Sequence, residues 1–307
     1  MSDESFKGNS PGNPRGGSET TNVYLLGTGI QKSLSPSIHN ALFRRLKIHA
    51  VYSLIDVREA EFEAAILGIL QSRNVLGFNI TAPFKERVMP YLSKIDGVAS
   101  AIGAVNTVKI GERQVISGYN TDVNGVQVTL SKLGLLGRRK KNGSAGLVAT
   151  ILGAGGAARA CTFVLLNSGI SSISIANRSV ERAQALAHHF NEQFPRAKFK
   201  VVGLREKDLS KEIAVADLLI NAISDSVPKT RTVKVNFSNA SDKLRFFDLG
   251  YKRESEMLRD AREAGIKSLD GLTMLSEQAR KSFEIWTGIS PSSELVRSIA
   301  KRSLQHF

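Results

Sequence analysis

The sequence contains little cysteine and no long apolar run. Cys161 is the single cysteine among 307 residues, which excludes an internal disulfide framework and a cysteine metal cluster. It falls in a predicted helix, where a buried apolar role is favoured over a nucleophilic one. No apolar run approaches the roughly 20 residues of a transmembrane helix, and residues 1–21 lack the apolar segment of a signal peptide. We therefore expect a cytoplasmic protein that does not associate with a membrane.

Features of nucleic-acid-binding proteins are also missing. Lysine and arginine exceed acidic residues by 42 to 28, for a net charge of +14, but the basic residues are spread along the chain. Their densest run, Arg138–Lys141, precedes Asn142, Gly143 and Ser144 and favours a solvated loop. Without a recognisable module or interleaved aromatic residues, we expect no nucleic-acid partner. Attraction of small anions is an equally good use of the charge. Residues 1–21, rich in Gly, Ser, Pro and Asn, are predicted to be a disordered tail.

The most informative segment that is present covers residues 147–160. An apolar strand is followed by a turn containing Gly153, Gly155 and Gly156, and then by a helix predicted over Ala157–Asn167. Strand, glycine turn and helix in that order are the context of the dinucleotide-binding fingerprint, here G-x-G-G-x-A. The helix N-terminus would offer free N–H groups to a pyrophosphate. An ordinary strand–helix turn is the alternative.

A missing acidic residue indicates which dinucleotide binds. The next predicted strand, Ile173–Ala176, ends in Asn177-Arg178-Ser179, where NAD sites usually carry an acid on the ribose 2′-hydroxyl. Arg178 can instead make charge-assisted hydrogen bonds to a 2′-phosphate. A solvated surface arginine is the alternative. The pattern favours NADP over NAD.

In the first part of the chain, strands alternate with helices. Strands are predicted at Val23–Leu26, Ala50–Leu54 and Asn74–Ile80, with helices at residues 37–46 and 59–71 between them. This alternation implies an α/β fold with a mostly parallel sheet. Ligands on such sheets bind beyond the carboxyl ends of the strands.

Two of the candidate binding residues precede the first predicted helix. Ser33 and Ser35 lie one residue apart in a segment expected to be extended before Pro36, so both hydroxyls could point the same way. A simple helix cap is the alternative. His39, within that helix, is more often a packed or capping residue than a catalytic one.

Other polar residues follow the later strands. Asn79, Thr81 and Lys85 cluster after the third strand, and Asp122 follows a hairpin that we predict across Gly111 and Glu112. A surface position for Lys85 and an N-cap role for Asp122 are the alternatives.

Seven segments resemble, in this order, the shikimate dehydrogenase family. They are S-L-S-P-S-I-H-N from Ser33, N-I-T-A-P-F-K ending at Lys85, G-A-V-N-T around Asn106, N-T-D ending at Asp122, G-A-G-G-A-A-R-A from Gly153, D-G-L-T-M-L-S-E-Q-A from Asp270 and W-T-G from Trp286. Each segment alone is weak, but seven in order are hard to obtain by chance. The resemblance covers residues 22–307.

This resemblance implies two α/β domains around a cleft. Residues 22–122, completed by residues 273–307, would be the substrate-binding catalytic domain, and residues 123–272 a Rossmann-like NADP-binding domain. The implied reaction is the reversible NADPH-dependent reduction of 3-dehydroshikimate to shikimate, on the pathway to chorismate and aromatic amino acids. The implied partner is this small substrate, and the implied assembly a monomer or homodimer.

The resemblance also implies roles for individual residues. Lys85 and Asp122 would be the catalytic pair, with either able to take part in proton delivery. Substrate-binding residues would be Ser33, Ser35, Asn79, Thr81, Lys85, Asn106, Asp122, Tyr251 and Gln278. Cofactor-binding residues would be Gly153, Ala154, Gly155, Gly156, Ala157, Asn177, Arg178, Ser179, Gly271 and Met274. No metal is expected.

Three departures from the family pattern make the substrate less certain than the reaction class. Val123 follows N-T-D where the family commonly has glycine, residues 251–255 replace the usual Y-x-P-x-x-T-P stretch, and Ile223 stands where threonine is common. A quinate/shikimate dehydrogenase, or a paralogue acting on a related hydroxy acid, is therefore the alternative, although the Ser33-x-Ser35 pair favours shikimate. A basic binding protein without activity is a further alternative, against which the intact Lys85, Asp122 and Gln278 argue.

Overall fold

The computed structural model describes residues 20–136, 146–223 and 233–305. Within these ranges the chain forms two separate six-stranded sheets, each covered by helices, which confirms the predicted α/β class. Thr21, assigned to the tail, is already the first residue of a strand. The rest of the predicted tail, apart from Thr20, lies outside the described residues, and so does the basic run 138–141 with residues 142–144.

The first sheet is mixed but mostly parallel, as predicted. Its strands are β1 (Thr21–Gly27), β2 (Ala50–Asp56), β3 (Val75–Ile80), β4 (Lys94–Ile95), β5 (Thr107–Ile110) and β6 (Ile116–Tyr119). They lie in the order β2-β1-β3-β5-β6-β4. β1 pairs in parallel with β2 and β3, whereas β5 is antiparallel to both β3 and β6. The predicted hairpin is confirmed, and its first strand, β5, is the one described strand of this sheet that runs against the other five.

Helices from both ends of the chain cover this sheet. They are α1 (Ser35–Arg45), α2 (Phe62–Gln71), α3 (Gly97–Ile102), α4 (Asp122–Lys132), and at the C-terminal end α9 (Leu272–Thr287) and α10 (Ser293–Gln305). Phe283, Trp286 and Val296 share a buried apolar cluster with Val23 and Tyr52. The indole N–H of Trp286 also donates to the Val108 carbonyl at 2.9 Å. The two C-terminal helices therefore pack on the first sheet.

The second sheet is entirely parallel. It contains β7 (Val148–Leu152), β8 (Ser172–Ala176), β9 (Lys198–Val202), β10 (Leu218–Asn221), β11 (Arg245–Asp248) and β12 (Lys267–Leu269) in the order β12-β11-β10-β7-β8-β9. Its helices are α5 (Gly156–Asn167), α6 (Val180–Gln193), α7 (Glu206–Val215) and α8 (Glu256–Glu263). The order reverses between β7 and β10, and such a switch point opens a crevice beyond the strand ends. β9, an edge strand with partly exposed residues, was not predicted from the sequence.

The helix α4 connects the two halves. Val126, Leu130 and Leu133 on α4 belong to the buried cluster that also contains Val164 and Leu165 of α5. Gly125 of α4 lies so close to Met274 of α9 that an added Cβ would be 2.5 Å from the Met274 carbonyl oxygen. In the described part of the chain, no helix is both long and apolar enough to cross a membrane.

Candidate active site

A cleft of about 510 Å³ lies between the two sheets. It is lined by every residue that the sequence predicted for the site: Ser33, Ser35, Asn79, Thr81, Lys85, Asn106, Asp122, Gly153, Ala154, Gly155, Gly156, Ala157, Asn177, Arg178, Ser179, Tyr251, Gly271, Met274 and Gln278. The strands that carry them come from both sheets, so distant segments converge on one space. The structure shows where these residues lie, while the role of each one stays a prediction.

Lys85 and Asp122 form an ion pair in the wall of the cleft. Nζ of Lys85 lies 2.5 Å from Oδ2 of Asp122, and the two side chains are only 13% and 6% exposed. Lys85 is therefore not a surface lysine. Asp122 is the first residue of α4, but its carboxylate makes no capping hydrogen bond there, so the N-cap alternative is also wrong.

Asn106 holds the other carboxylate oxygen. Its Nδ2 donates to Oδ1 of Asp122 at 2.9 Å and to the Thr121 hydroxyl at 3.0 Å. Its Oδ1 accepts the Thr121 backbone N–H at 2.7 Å. The N–H and C=O groups of this amide thus both bind the start of α4, which holds the Asp122 carboxylate beside Lys85.

Beneath this pair lies a network of buried hydroxyl and amide groups. Ser282 of α9 hydrogen-bonds to Asn79 Nδ2, Thr107 and Thr121 at 3.1, 2.8 and 3.0 Å. Asn79 Nδ2 also donates to the Thr107 hydroxyl and to the Asn106 carbonyl. The amide donors of Asn79 and Asn106 are therefore engaged by the protein itself. Thr107 and Ser282 were not predicted, since hydroxyl residues inside a strand and a helix carry no distinctive pattern.

The Tyr52 phenol is another group that the sequence did not single out. It donates to Oδ1 of Asn79 at 2.8 Å. Burial raises the pKa of Tyr52 well above its usual value, a nearby hydrogen bond with Ser35 opposes that shift, and Tyr251 adds to it. Tyr52 thus connects the Asn79 amide to the serine end of the cleft. In the sequence, only the inward-facing position of Tyr52 on β2 could have indicated this role.

Ser33 and Ser35 reach the cleft in a conformation different from the predicted one. Leu34 between them has helical angles, φ −80° and ψ −10°, and Ser35 is the first residue of α1. Ser33 Oγ accepts the Ser35 N–H at 3.2 Å. The expected extended segment is wrong because Pro36 is accommodated in the first turn of the helix, where its missing N–H costs nothing. The N-cap position is occupied by Leu34 without a side-chain capping hydrogen bond, so the helix-cap alternative is also wrong, whereas the placement of both serines in the cleft is observed.

The nucleotide side of the cleft is built mainly from backbone. Gly153 has φ +105°, and an added Cβ would lie 3.0 Å from the Ala222 carbonyl oxygen, so a tight turn requires glycine there. A Cβ added to Gly155 would meet no atom of the described residues within 4 Å, which leaves space among them beside the N-terminus of α5 for a close approach. Ala158 is fully buried, as the fingerprint requires for helix packing. These features fit a bound pyrophosphate.

The turn after β8 carries two arginines at the cleft. Arg178 is exposed there, and Asn177 Nδ2 donates to the Ser179 carbonyl at 2.8 Å. The Ser179 hydroxyl caps α6 by accepting the Arg182 N–H and donates to Glu181. Arg182 lines the cleft as well. Sequence reasoning missed it, since Arg182 lies within α6, beyond the turn that the fingerprint marks.

The remaining predicted residues close the cleft. Gly271 donates its N–H to the Gly250 carbonyl at 2.8 Å, and a side chain there would overlap the Leu249 carbonyl. Gln278 of α9 donates to the Leu275 carbonyl at 3.1 Å. In the loop that departs from the family pattern, Ser255 donates to Asp248 at 2.5 Å and caps α8. That loop is therefore tied to the end of β11.

Two further residues are confirmed as core groups. His39 is completely buried and stacks on Tyr52 at a centroid distance of 4.5 Å, and burial lowers its pKa to about 3. Cys161 is buried in α5, where burial first and the Asp122 charge second raise the pKa of its thiol. A neutral imidazole and a protonated thiol in these positions are packing groups.

Comparison with known proteins agrees with this geometry. Three family models match: the shikimate dehydrogenase substrate binding domain over residues 25–108, shikimate / quinate 5-dehydrogenase over 136–274, and the shikimate 5′-dehydrogenase C-terminal domain over 271–301. Together they span both sheets and the C-terminal helices.

Individual relatives agree with the family models. The chain is 39% identical over 272 residues to the shikimate dehydrogenase (NADP(+)) of Caldanaerobacter subterraneus subsp. tengcongensis, covering 88% of this chain and 92% of the relative. It resembles a crystal structure of a shikimate dehydrogenase in complex with NADP+ with a TM-score of 0.78 and 33% identity, covering 93% and 96% of the two chains. The quinate dehydrogenase of Corynebacterium glutamicum in complex with NAD gives a TM-score of 0.77 and 28% identity, covering 91% and 98%. The chain therefore belongs to the shikimate dehydrogenase family.

Proposed function

We propose that this protein is an NADP-dependent shikimate dehydrogenase that catalyses the reversible reduction of 3-dehydroshikimate to shikimate. The observation that carries the proposal is the buried Lys85–Asp122 pair, 2.5 Å apart, in a cleft whose opposite wall is the glycine turn. Such a step belongs to the route to chorismate and aromatic amino acids. We also propose a cytoplasmic monomer or homodimer.

The proposed division of labour follows the two sheets. Residues 22–122, with residues 273–307, would bind the substrate, and residues 123–272 would bind NADP. On the nucleotide side, open space at Gly155 and the N-terminus of α5 suit the pyrophosphate. Arg178 and Arg182 at the cleft suit the 2′-phosphate, since arginine binds phosphate oxygens through several donors.

Lys85 is the proposed source of the proton. When bound, NADPH supplies the hydride to the ketone carbon. The Lys85 ammonium has three donors, so it can bind Asp122 and still donate to the carbonyl oxygen. As negative charge develops on that oxygen, the ammonium stabilises it and transfers a proton. Asp122, held by Asn106, orients the ammonium.

The other polar groups fit a small carboxylated polyol. The Ser33 and Ser35 hydroxyls would donate to the carboxylate at the far end of the cleft. The ring hydroxyls would be bound by Asn79, Thr81, Asn106, Tyr251 and Gln278. The amide donors of Asn79 and Asn106 are engaged by the protein. These two residues would therefore offer the substrate mainly their acceptor oxygens, and they would hold the neighbouring side chains in position.

Quinate is the second candidate substrate. It is favoured by the structural similarity to a quinate dehydrogenase and by Val123, which replaces the usual glycine next to Asp122. The pair Ser33 and Ser35 favours shikimate instead. A basic protein that kept the fold but lost activity is the third candidate.

A steady-state assay of shikimate and quinate, each with NADP and with NAD, tests all three. We expect the highest kcat/KM for shikimate with NADP. A higher value for quinate would replace the substrate assignment. No turnover in any of the four combinations would contradict an enzymatic function.

A further inference from the structure

The glycine-rich turn contains two adjacent glycines with different surroundings. Gly155 opens onto the cleft, and within the described ranges of the chain no atom would lie within 4 Å of an added Cβ. At Gly156 an added Cβ would lie 2.8 Å from Cδ and 3.0 Å from Cβ of Lys85. The aliphatic stem of Lys85, from the first half of the chain, therefore packs directly on the first residue of α5 in the second half.

The Lys85 side chain has little freedom to move away from this contact. At one end its backbone carbonyl accepts the Val105 N–H at 2.8 Å. At the other end its ammonium is paired with Asp122 at 2.5 Å. A methyl group at position 156 would therefore have to displace the lysine stem or push α5 away from it.

A second contact holds the same two segments together. Glu86 Oε2 lies 3.2 Å from Nε of Arg159, three residues after Gly156 on α5, and the Arg159 side chain is only 13% exposed. The guanidinium also donates to the Ile102 carbonyl at 3.2 Å. Residues three apart on a helix share one face, so Lys85 and Glu86 dock together on one face of α5.

We propose that Gly156 is a positioning residue for Lys85, and that the Glu86–Arg159 ion pair holds the same contact. The glycine at position 156, to which the family resemblance gave a cofactor-binding role, then serves the lysine instead, whereas the glycine at position 155 serves the pyrophosphate. This inference rests on the proposed function, because the position of Lys85 matters only if Lys85 assists the reaction. According to this inference, Lys85 is correctly placed as the proton donor only when the nucleotide-binding half of the chain is packed against it.

Two neighbouring substitutions separate these roles. In Gly156→Ala we expect kcat for shikimate oxidation to fall by about 10- to 100-fold, because small misplacements of reacting groups cost about that much. Binding of NADP, measured by isothermal titration calorimetry, should stay close to the wild-type value. In Gly155→Ala we expect the opposite balance, with weaker NADP binding as the main effect. Gly68→Ala, on the exposed face of α2 with no atom within 4 Å of the added Cβ, is the matched control and should behave as wild type.

A wild-type kcat in Gly156→Ala, or a loss of NADP binding there like that of Gly155→Ala, would overturn the inference. If thermal unfolding shows that Gly156→Ala does not fold, Glu86→Gln decides instead. A lower kcat with unchanged NADP binding in Glu86→Gln supports the positioning contact, and an unchanged kcat overturns it. If wild type and Gly68→Ala bind NADP but oxidise neither shikimate nor quinate, the proposed function fails, and the inference fails with it.

Discussion

The two walls of the cleft are built in different ways. On the wall formed by the first sheet, side chains hold one another: Ser282 bonds to Thr107, Thr121 and Asn79 within 3.1 Å, and Asn106 bonds to Asp122. On the wall formed by the second sheet, the glycine turn and the N-terminus of α5 present backbone and open space. Removal of side-chain atoms should therefore damage the first wall, whereas added atoms should damage the second.

The largest effect is expected from Lys85→Ala on the first wall. It removes the proposed proton donor and the positive charge facing the oxygen, so kcat should fall by about 10²- to 10⁴-fold. Because this interaction strengthens as charge develops, kcat should fall more than substrate affinity. Steady-state kinetics and calorimetric NADP binding measure both. If Lys85→Ala weakens substrate binding but retains kcat, Lys85 is a binding residue only.

The exception on the second wall is Arg178, an arginine side chain that we propose to bind the 2′-phosphate. Arg178→Ala should raise KM for NADP by about 10- to 150-fold, since a hydrogen bond to a charged group contributes roughly 1.5–3 kcal/mol. KM for NAD should change much less. Arg259→Ala, at a side chain 57% exposed on α8, is the control and should change neither. Equal effects on both cofactors would show that Arg178 does not bind the 2′-phosphate.

The contrast also predicts different changes in protein stability when each of two buried hydroxyls is removed. Ser282→Ala removes a fully buried hydroxyl that bonds to Asn79, Thr107 and Thr121. The free energy of unfolding should fall by about 1–3 kcal/mol, since each hydrogen bond contributes roughly 0.5–1.5 kcal/mol. The Thr150 hydroxyl of the second sheet is buried and finds no hydrogen-bond partner among the described residues. Thr150→Val should therefore leave stability unchanged or raise it. Urea denaturation of both variants checks the pair, and a larger loss in Thr150→Val would contradict the contrast.

A pH-dependent effect on stability is expected at His39. Burial lowers its pKa from 6.5 to about 3, so above pH 6.5 the imidazole is neutral in both folded and unfolded chains. As the pH falls below 6.5, only the unfolded chain gains the proton, and this contribution costs about 1.4 kcal/mol of stability per pH unit. His39→Phe should therefore unfold less steeply with acid than wild type between pH 6.5 and 4. Parallel stability curves would show that His39 is already protonated in the folded chain, or that other groups bear the dependence.

The sequence indicated much of this architecture because its signals are local. The glycine turn at residues 153–156 lies between an apolar strand and a helix, and all three were observed where predicted. The edge strand β9 was missed because its lysines alternate with only partly buried residues. Ser35 was assigned an extended conformation because the rule for residues before proline was applied to a position inside a helix start.

What the sequence determined by itself was the set of chemical groups and the order of the elements, since short-range patterns specify strands, turns and helices one at a time. The family motifs likewise named the residues that line the cleft. Only the tertiary structure decided which groups meet: Ser282 with Asn79, 203 residues apart, Tyr52 with that same amide, and Gly156 with Lys85. The first and third contacts arise from the packing of α9 and α5 against the first half, and the second from the arrangement of β2 and β3 in the first sheet. No local pattern encodes a distance between segments that are far apart in the chain.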